Sequence, residues 1–193
     1  MRDSDFIRDK NVPMSKEEAR YISLCYMDIN NKKNMLDIGS GTGSCSIEAL
    51  LQNKNLTVTA IECDDKAIDL INKNIEKFDN EYFNIKNRIN VIKARAPVEL
   101  DEKFDSIFVG GTKGSVDEII NWSVKNMNIG ATLVLNFITL ENFYEALESI
   151  NKIPNLSEIT GSQIMVNKIE KLAKYKYLKP NNPVFIIKCI KNY

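Results

Sequence analysis

Three observations predict an α/β fold: a doubly wound, seven-stranded, mostly parallel sheet with an antiparallel terminal strand. Short apolar or β-branched runs alternate with amphipathic helical stripes up to residue 150. A glycine-rich turn, Asp37-Ile38-Gly39-Ser40-Gly41-Thr42-Gly43, leads from a buried strand into a helix. After Pro154, two strand-like segments follow each other with no helical pattern between them, and strands joined that way pair antiparallel. The 193 residues, 44% of them hydrophobic, suffice for one core, so residues 1–193 are expected to form a single domain.

Each element has its own signal. Ser15 and Glu18 form a capping-box pattern after Pro13, and Ala19, Ile22, Tyr26 and Ile29 recur at helical spacing, predicting a helix over 15–29. Met35–Ile38 reads as the first strand, and Ile47, Leu50 and Leu51 mark the helix after the glycine turn. Leu56–Glu62 is a β-branched run suited to a buried parallel strand. Residues 64–78 carry Ala67, Ile68, Ile71, Ile75 and Phe78 on one helical face, with Asp64 or Asp65 near the cap and a polar connection over Asp79–Arg88.

Ile89–Lys93 and Phe104–Val109 are the third and fourth strands. Ser115 and Glu118 start a helix through Ile119, Ile120, Val124 and Met127, with Gly130 suited to close it in the left-handed conformation. Ala131–Phe137 is the fifth strand, and Thr139 caps a helix with Leu140, Phe143, Leu147 and Ile150 as its stripe. Residues 156–169 and Pro183–Ile190 are the last two strands.

Composition narrows the chemistry. The chain has no histidine, which removes the commonest general base, the commonest metal ligand and every Ser-His or Cys-His dyad; no metal site is expected. Lys+Arg 26 against Asp+Glu 26 argues against a general nucleic-acid binder. There is no long apolar run and no basic-then-apolar leader, so a cytoplasmic protein without a membrane partner is expected. Cys25, Cys45, Cys63 and Cys189 lack paired spacing and read as small buried hydrophobes.

The glycine turn is the candidate ligand cradle. Glycines let a backbone approach a ligand, and the turn is expected to offer free N–H groups at the helix start. A dinucleotide fingerprint would need a third glycine at position 44, which is Ser44; the pattern is D-x-G-x-G-x-G. Asp37 would repel a pyrophosphate and attract a cationic sulfonium with an α-amino group, which selects S-adenosylmethionine. The alternative is a helix-entry turn in which Asp37 only satisfies loop amides. Glu62, at the tip of the second strand, is placed to accept hydrogen bonds from ribose hydroxyls. Gly110 and Gly111 allow close approach after the fourth strand. Lys168, Lys171 and Lys174, in a lysine-rich stretch with Tyr175 and Tyr177, are either a solvated loop or an anion-steering rim for a substrate with several carboxylates or phosphates.

Through the Asp37–Gly43 motif and Glu62 the chain resembles the class I S-adenosylmethionine-dependent methyltransferases, which have a Rossmann-like fold. More closely, it resembles the decarboxylating cobalt-precorrin-6B C-15 methyltransferases of cobalamin biosynthesis. That likeness rests on Val12-Pro13-Met14-Ser15-Lys16-Glu17-Glu18, Ser46-Ile47-Glu48-Ala49, Ala96-Pro97, Phe108-Val109-Gly110-Gly111, Thr139-Leu140-Glu141 and Asn182-Pro183-Val184.

The resemblance implies C-methylation of a tetrapyrrole with loss of carbon dioxide, and a homotetramer. It implies that Ser15, Gly39, Ser40, Gly41, Thr42, Gly43, Glu62 and the Arg95-Ala96 region contact the cofactor. Where the family carries an acidic residue after the third strand this chain has Ala94-Arg95-Ala96-Pro97, leaving the adenine contact to the Ala96 backbone. Where the family has glycine- and arginine-bearing residues before its last strand this chain has lysines, point charges instead of bidentate forks. No residue is assigned as a catalyst. A protein isoaspartyl or tRNA adenine methyltransferase would use the same cradle, and a non-catalytic cofactor-binding module is the remaining alternative.

Overall fold

The structure is a computed structural model that describes all 193 residues. Its strands are β1 (Asn34–Ile38), β2 (Thr57–Glu62), β3 (Ile89–Lys93), β4 (Phe104–Val109), β5 (Met127–Phe137), β6 (Leu156–Ile164), β7 (Asn167–Leu172), β8 (Tyr175–Pro180) and β9 (Val184–Lys191). Five helices accompany them: α1 (Glu17–Tyr26), α2 (Ser44–Gln52), α3 (Asp65–Tyr82), α4 (Val116–Lys125) and α5 (Leu140–Asn151). Seven strands form one sheet in the order β3-β2-β1-β4-β5-β9-β6. β9 runs antiparallel to both of its neighbours, β5 and β6, and the pairs from β3 to β5 are parallel. This is the expected doubly wound sheet.

The strands read as continuous apolar runs because both faces are covered. Leu36, Leu133, Leu135 and Ile187 point to the face packed by α4 and α5, whereas Met35, Val134 and Ile186 point to the face packed by α2 and α3. That alternation is the period of two expected of strands, with both phases apolar. The order reverses between β1 and β4, so the crevice at their carboxyl ends is the topological switch point.

Four expectations shift. Helix α1 starts at Glu17 with Lys16 as its cap and no side-chain capping bond, so the Ser15 box does not form; the Ser15 carbonyl instead accepts Arg20 Nη1 at 2.5 Å. Its buried face includes Arg20 and Ser23 rather than only apolar residues. Helix α3 continues to Tyr82, four residues past Phe78, and Asp64 caps it by accepting the Ala67 amide at 3.0 Å. Gly130 does not close α4, which ends at Lys125. It sits at φ +79° inside β5, where the register against β4 slips between Phe104 and Ser106, so its left-handed conformation serves a bulge.

The fourth shift lies in the 156–169 segment. It splits into β6 and β7, and β7 pairs with β8 as a separate two-stranded sheet. Among the cysteines, Cys45 and Cys189 are buried as expected, but Cys25 is exposed and Cys63 is partly exposed at the end of β2. Cys25 falls on the solvent side of α1, and Cys63 follows the last strand residue, so neither meets the core.

Candidate functional site

The glycine turn is tied down by its own backbone. The Gly39 and Ser40 amides both donate to the Ile61 carbonyl, at 2.9 and 3.2 Å, and the Gly43 amide donates to the Ser40 carbonyl at 2.8 Å. The Gly41 amide donates to Glu62 Oε2 at 2.9 Å. These four N–H groups are therefore consumed within the protein and are not among the free donors expected of the turn and helix start. The glycines are needed for shape. Gly39, Gly41 and Gly43 all have φ between +55° and +75°. A Cβ on Gly41 would lie 2.9 Å from the Pro13 carbonyl oxygen, and one on Gly39 would lie 3.0 Å from the Gly111 amide nitrogen.

A cavity of about 420 Å³ opens beside this turn, at the carboxyl ends of β1, β2 and β4. Ser15, Asp37, Gly39, Ser40, Gly41, Glu62, Arg95, Ala96 and Gly110 all line it. Thr42 and Gly43 do not: Thr42 is buried behind the wall with its carbonyl accepting Asn74 Nδ2 at 2.9 Å, and Gly43 caps α2 against Ile71. Val12, Pro13 and Met14 close the cavity from the N-terminal side. Arg95 reaches toward the fourth-strand loop, donating from Nη2 to the Lys113 carbonyl at 3.3 Å. Cys63 and Lys113, which the sequence did not single out, also line the cavity, and Lys113 Nζ donates to Cys63 Sγ at 2.9 Å.

Asp37 and Glu62 divide the electrostatics. Asp37 has no exposed surface; its Oδ2 accepts the Ser46 hydroxyl at 2.5 Å, and its Oδ1 has no partner. One oxygen thus serves helix entry while the other stays unpaired. Burial pushes the carboxyl up to about 7; the Ser46 hydroxyl opposes the shift and the Glu62 charge adds to it. Glu62 Oε1 accepts the Cys63 and Asp64 amides at 2.7 and 2.9 Å, so both of its oxygens are fixed by backbone, and Oε2, with a single amide donor, keeps a lone pair for a further bond at the cavity.

Arg20 is the residue that a sequence reading passes over, since a charged residue on a helix defaults to the solvent side. It is wholly buried, donating from Nε to Glu48 Oε2 at 2.8 Å, from Nη1 to Asp3 Oδ1 at 3.0 Å, and to the Ser15 carbonyl. It fastens the segment that closes the cavity to α2 behind it.

The three lysines expected to steer anions line neither this cavity nor the larger one next to it. Lys168 Nζ is held by Glu17 at 2.9 Å and Glu18 at 3.0 Å on α1, which neutralises it. Lys171 and Lys174 lie on the exposed β7–β8 hairpin, the latter with its ammonium 5.3 Å from the Tyr175 ring centre. Their stretch forms the β7–β8 hairpin and not a loop.

The residues fit S-adenosylmethionine on two structural counts. A buried, unpartnered carboxylate oxygen suits a cationic amino acid end, and a cradle without Cβ atoms, flanked by a fixed strand-end acid, suits an adenosyl group.

Comparison with known proteins agrees. Residues 5–191 match the model of the precorrin methyltransferase domain. The chain is 36% identical over 191 residues, 99% of its own length and 96% of the relative's, to the cobalt-precorrin-6B C(15)-methyltransferase (decarboxylating) of Salmonella typhimurium. It is 38% identical over 190 residues, 96% and 92% of the two chains, to a probable enzyme of the same name from Saccharolobus solfataricus. The crystal structure of precorrin-6y C5,15-methyltransferase from Geobacter metallireducens superposes with a TM-score of 0.87 at 28% identity, covering 99% of this chain and 96% of that one. With a doubly wound sheet, a cradle at its switch point and this match over nearly the whole length, the chain belongs to the precorrin methyltransferase family.

Proposed function

We propose that this chain is an S-adenosylmethionine-dependent C-methyltransferase that methylates C-15 of cobalt-precorrin-6B, or its metal-free counterpart, and removes the carboxyl group of a ring acetate. The observation that carries the reading is the Asp37–Glu62 pair facing one cavity at the switch point, one oxygen of Asp37 having no partner. Full-length similarity to decarboxylating C-15 methyltransferases supports the substrate.

Asp37, Ser15, Gly39, Gly41, Glu62, Arg95, Ala96 and Gly110 would hold the cofactor, which supplies an electrophilic methyl group when bound. The chain's part is to bind, orient and exclude water, the kind of catalysis that positioning provides. The electron balance explains why no histidine is required. The ring carbon gains a methyl group as a cation equivalent. The C–CO₂ bond then breaks, its electron pair enters the conjugated ring, and neutral carbon dioxide departs. Charge closes without a protein acid or base, and desolvation of the departing carboxylate favours its loss. Purified protein supplied with cobalt-precorrin-6B and S-adenosylmethionine is expected to release one carbon dioxide for each S-adenosylhomocysteine formed; formation of neither product would overturn the reading.

The proposal extends to a cytoplasmic homotetramer. Ile169, Leu172, Tyr175 and Leu178 on the β7–β8 hairpin are each at least 63% exposed. A lone hairpin is marginal in water, and apolar side chains displayed on one suit a contact with further copies of the chain. No helix is long and apolar enough to cross a membrane.

A further inference from the structure

A second cavity adjoins the cofactor cavity and carries a charge pattern that the cofactor does not require. It shares the Val12–Ser15 turn and residues 110–113 with the first and extends outward to about 1320 Å³. Its charged lining consists of Arg8, Lys10, Lys16 and Lys113 against Asp9 alone, in a chain with no net charge. Arg8 and Lys10 have no carboxylate within 4.0 Å. Lys16 has only Asp3, at 3.7 Å, and is half exposed. Asp9 turns its Oδ1 to the Asn11 amide at 2.7 Å.

Three of these cations sit on one stretch, residues 8–16, and that stretch is fixed on both sides. Before it, the Ile7 amide donates to Asn74 Oδ1 at 2.7 Å and the Ile7 carbonyl accepts Asn74 Nδ2 at 3.0 Å. Within it, Val12 is buried and the Ser15 carbonyl is held by Arg20. The cations therefore project from an ordered segment. The part of the lining contributed by Phe137, Ile138 and Val184 has no charge.

We propose that Arg8, Lys10 and Lys16 determine substrate specificity by binding peripheral carboxylates of a polycarboxylated tetrapyrrole. This rests on the methyltransferase reading above and names the residues that select its substrate. A cavity lined by one sign of charge concentrates polyanions and orients them. The same division suits the chemistry. A cation paired with the carboxylate to be lost would stabilise the reactant more than the transition state, where that charge has moved into the ring. The N-terminal cations therefore hold carboxylates that remain, and the acetate that departs faces the uncharged wall.

The test uses the full-length protein with S-adenosylmethionine present. Binding of uroporphyrin, a polycarboxylated ring, and of a cationic pyridinium porphyrin is followed by fluorescence, and turnover of cobalt-precorrin-6B is measured alongside. Wild type is expected to bind uroporphyrin and not the cationic ring. The triple variant Arg8→Gln, Lys10→Gln, Lys16→Gln is expected to weaken uroporphyrin binding by about tenfold or more and to raise KM by more than it lowers kcat. Its cofactor affinity should match wild type, since none of the three lines the cofactor cavity. The charge-keeping variant Arg8→Lys, Lys10→Arg, Lys16→Arg should recover most of the binding. Equal uroporphyrin affinity and KM in wild type and the Gln variant would overturn the assignment while leaving the methyltransferase reading intact. A wild type that neither binds uroporphyrin nor turns over the precorrin would overturn the substrate reading, and this inference with it.

Discussion

The Gly41 amide donates to Glu62 Oε2 at 2.9 Å, so the acid at the tip of β2 braces the glycine turn at the end of β1. One carboxylate thus shapes the cradle and lines the cavity. Glu62→Ala should weaken S-adenosylmethionine binding by about tenfold or more, a hydrogen bond to a charged group contributing roughly 1.5–3 kcal/mol. Glu62→Gln keeps an acceptor for the Gly41 amide and should fall between the two. Titration calorimetry checks the order; equal affinities across all three proteins would remove Glu62 from the site.

Asp37 predicts a pH dependence with a definite sign. Its folded-state carboxyl lies at about 7 against an ordinary 3.8, so between these values the folded protein keeps a proton that the unfolded chain has lost. The cofactor-free protein should lose stability from this group as pH rises from about 4 through about 7, with no further loss above. Asp37→Asn should flatten that part of the curve, read as thermal midpoint against pH. A cationic ligand favours the ionised carboxylate, so cofactor binding near pH 6 should release up to about one proton, seen as a buffer-dependent binding enthalpy. The release should vanish in Asp37→Asn.

Arg20 predicts a coupled loss of stability and affinity. Arg20→Met leaves the Glu48 carboxylate, 5% exposed, with the Met1 ammonium at 3.1 Å as its remaining charged partner, so the loss should fall toward the lower end of the about 3–5 kcal/mol for breaking a buried ion pair. It also frees the Ser15 carbonyl and loosens the turn that closes the cavity. Urea unfolding should show the destabilisation, and calorimetry on the folded fraction should show weaker cofactor binding. Arg20→Lys should recover part of each.

Ile169 and Leu178 are direct cross-strand partners on the hairpin, 70% and 63% exposed. Ile169→Asp with Leu178→Asp should convert a tetramer to smaller species in light scattering while leaving cofactor binding in place. A wild type that is monomeric at working concentration would contradict the homotetramer.

How far the sequence could be read followed from how local each feature is. Ile89–Lys93 and Phe104–Val109 have the predicted bounds because both strands are short apolar runs with clear edges. The switch-point placement of Asp37, Glu62 and Gly110 was legible from strand ends alone. Contacts that span the chain were not. The Gly39 and Ser40 amides are taken by Ile61, which neighbours them only once parallel pairing is formed. Arg20 is buried because Glu48 and Asp3 converge on it from two other segments. Gly130 carried a true signal for a left-handed residue, but the signal does not distinguish a helix end from a strand bulge. The lysine-rich stretch was visible as charge, whereas its folding into a hairpin whose Lys168, Lys171 and Lys174 line neither cavity depends on pairing between β7 and β8.

The most direct test of the central claim is mass spectrometry of the tetrapyrrole after incubation of cobalt-precorrin-6B with the purified protein and methyl-labelled S-adenosylmethionine. The account predicts one product that has gained a single labelled methyl group and lost one carbon dioxide. An unchanged substrate, or a ring that is methylated but retains every carboxyl group, would contradict it.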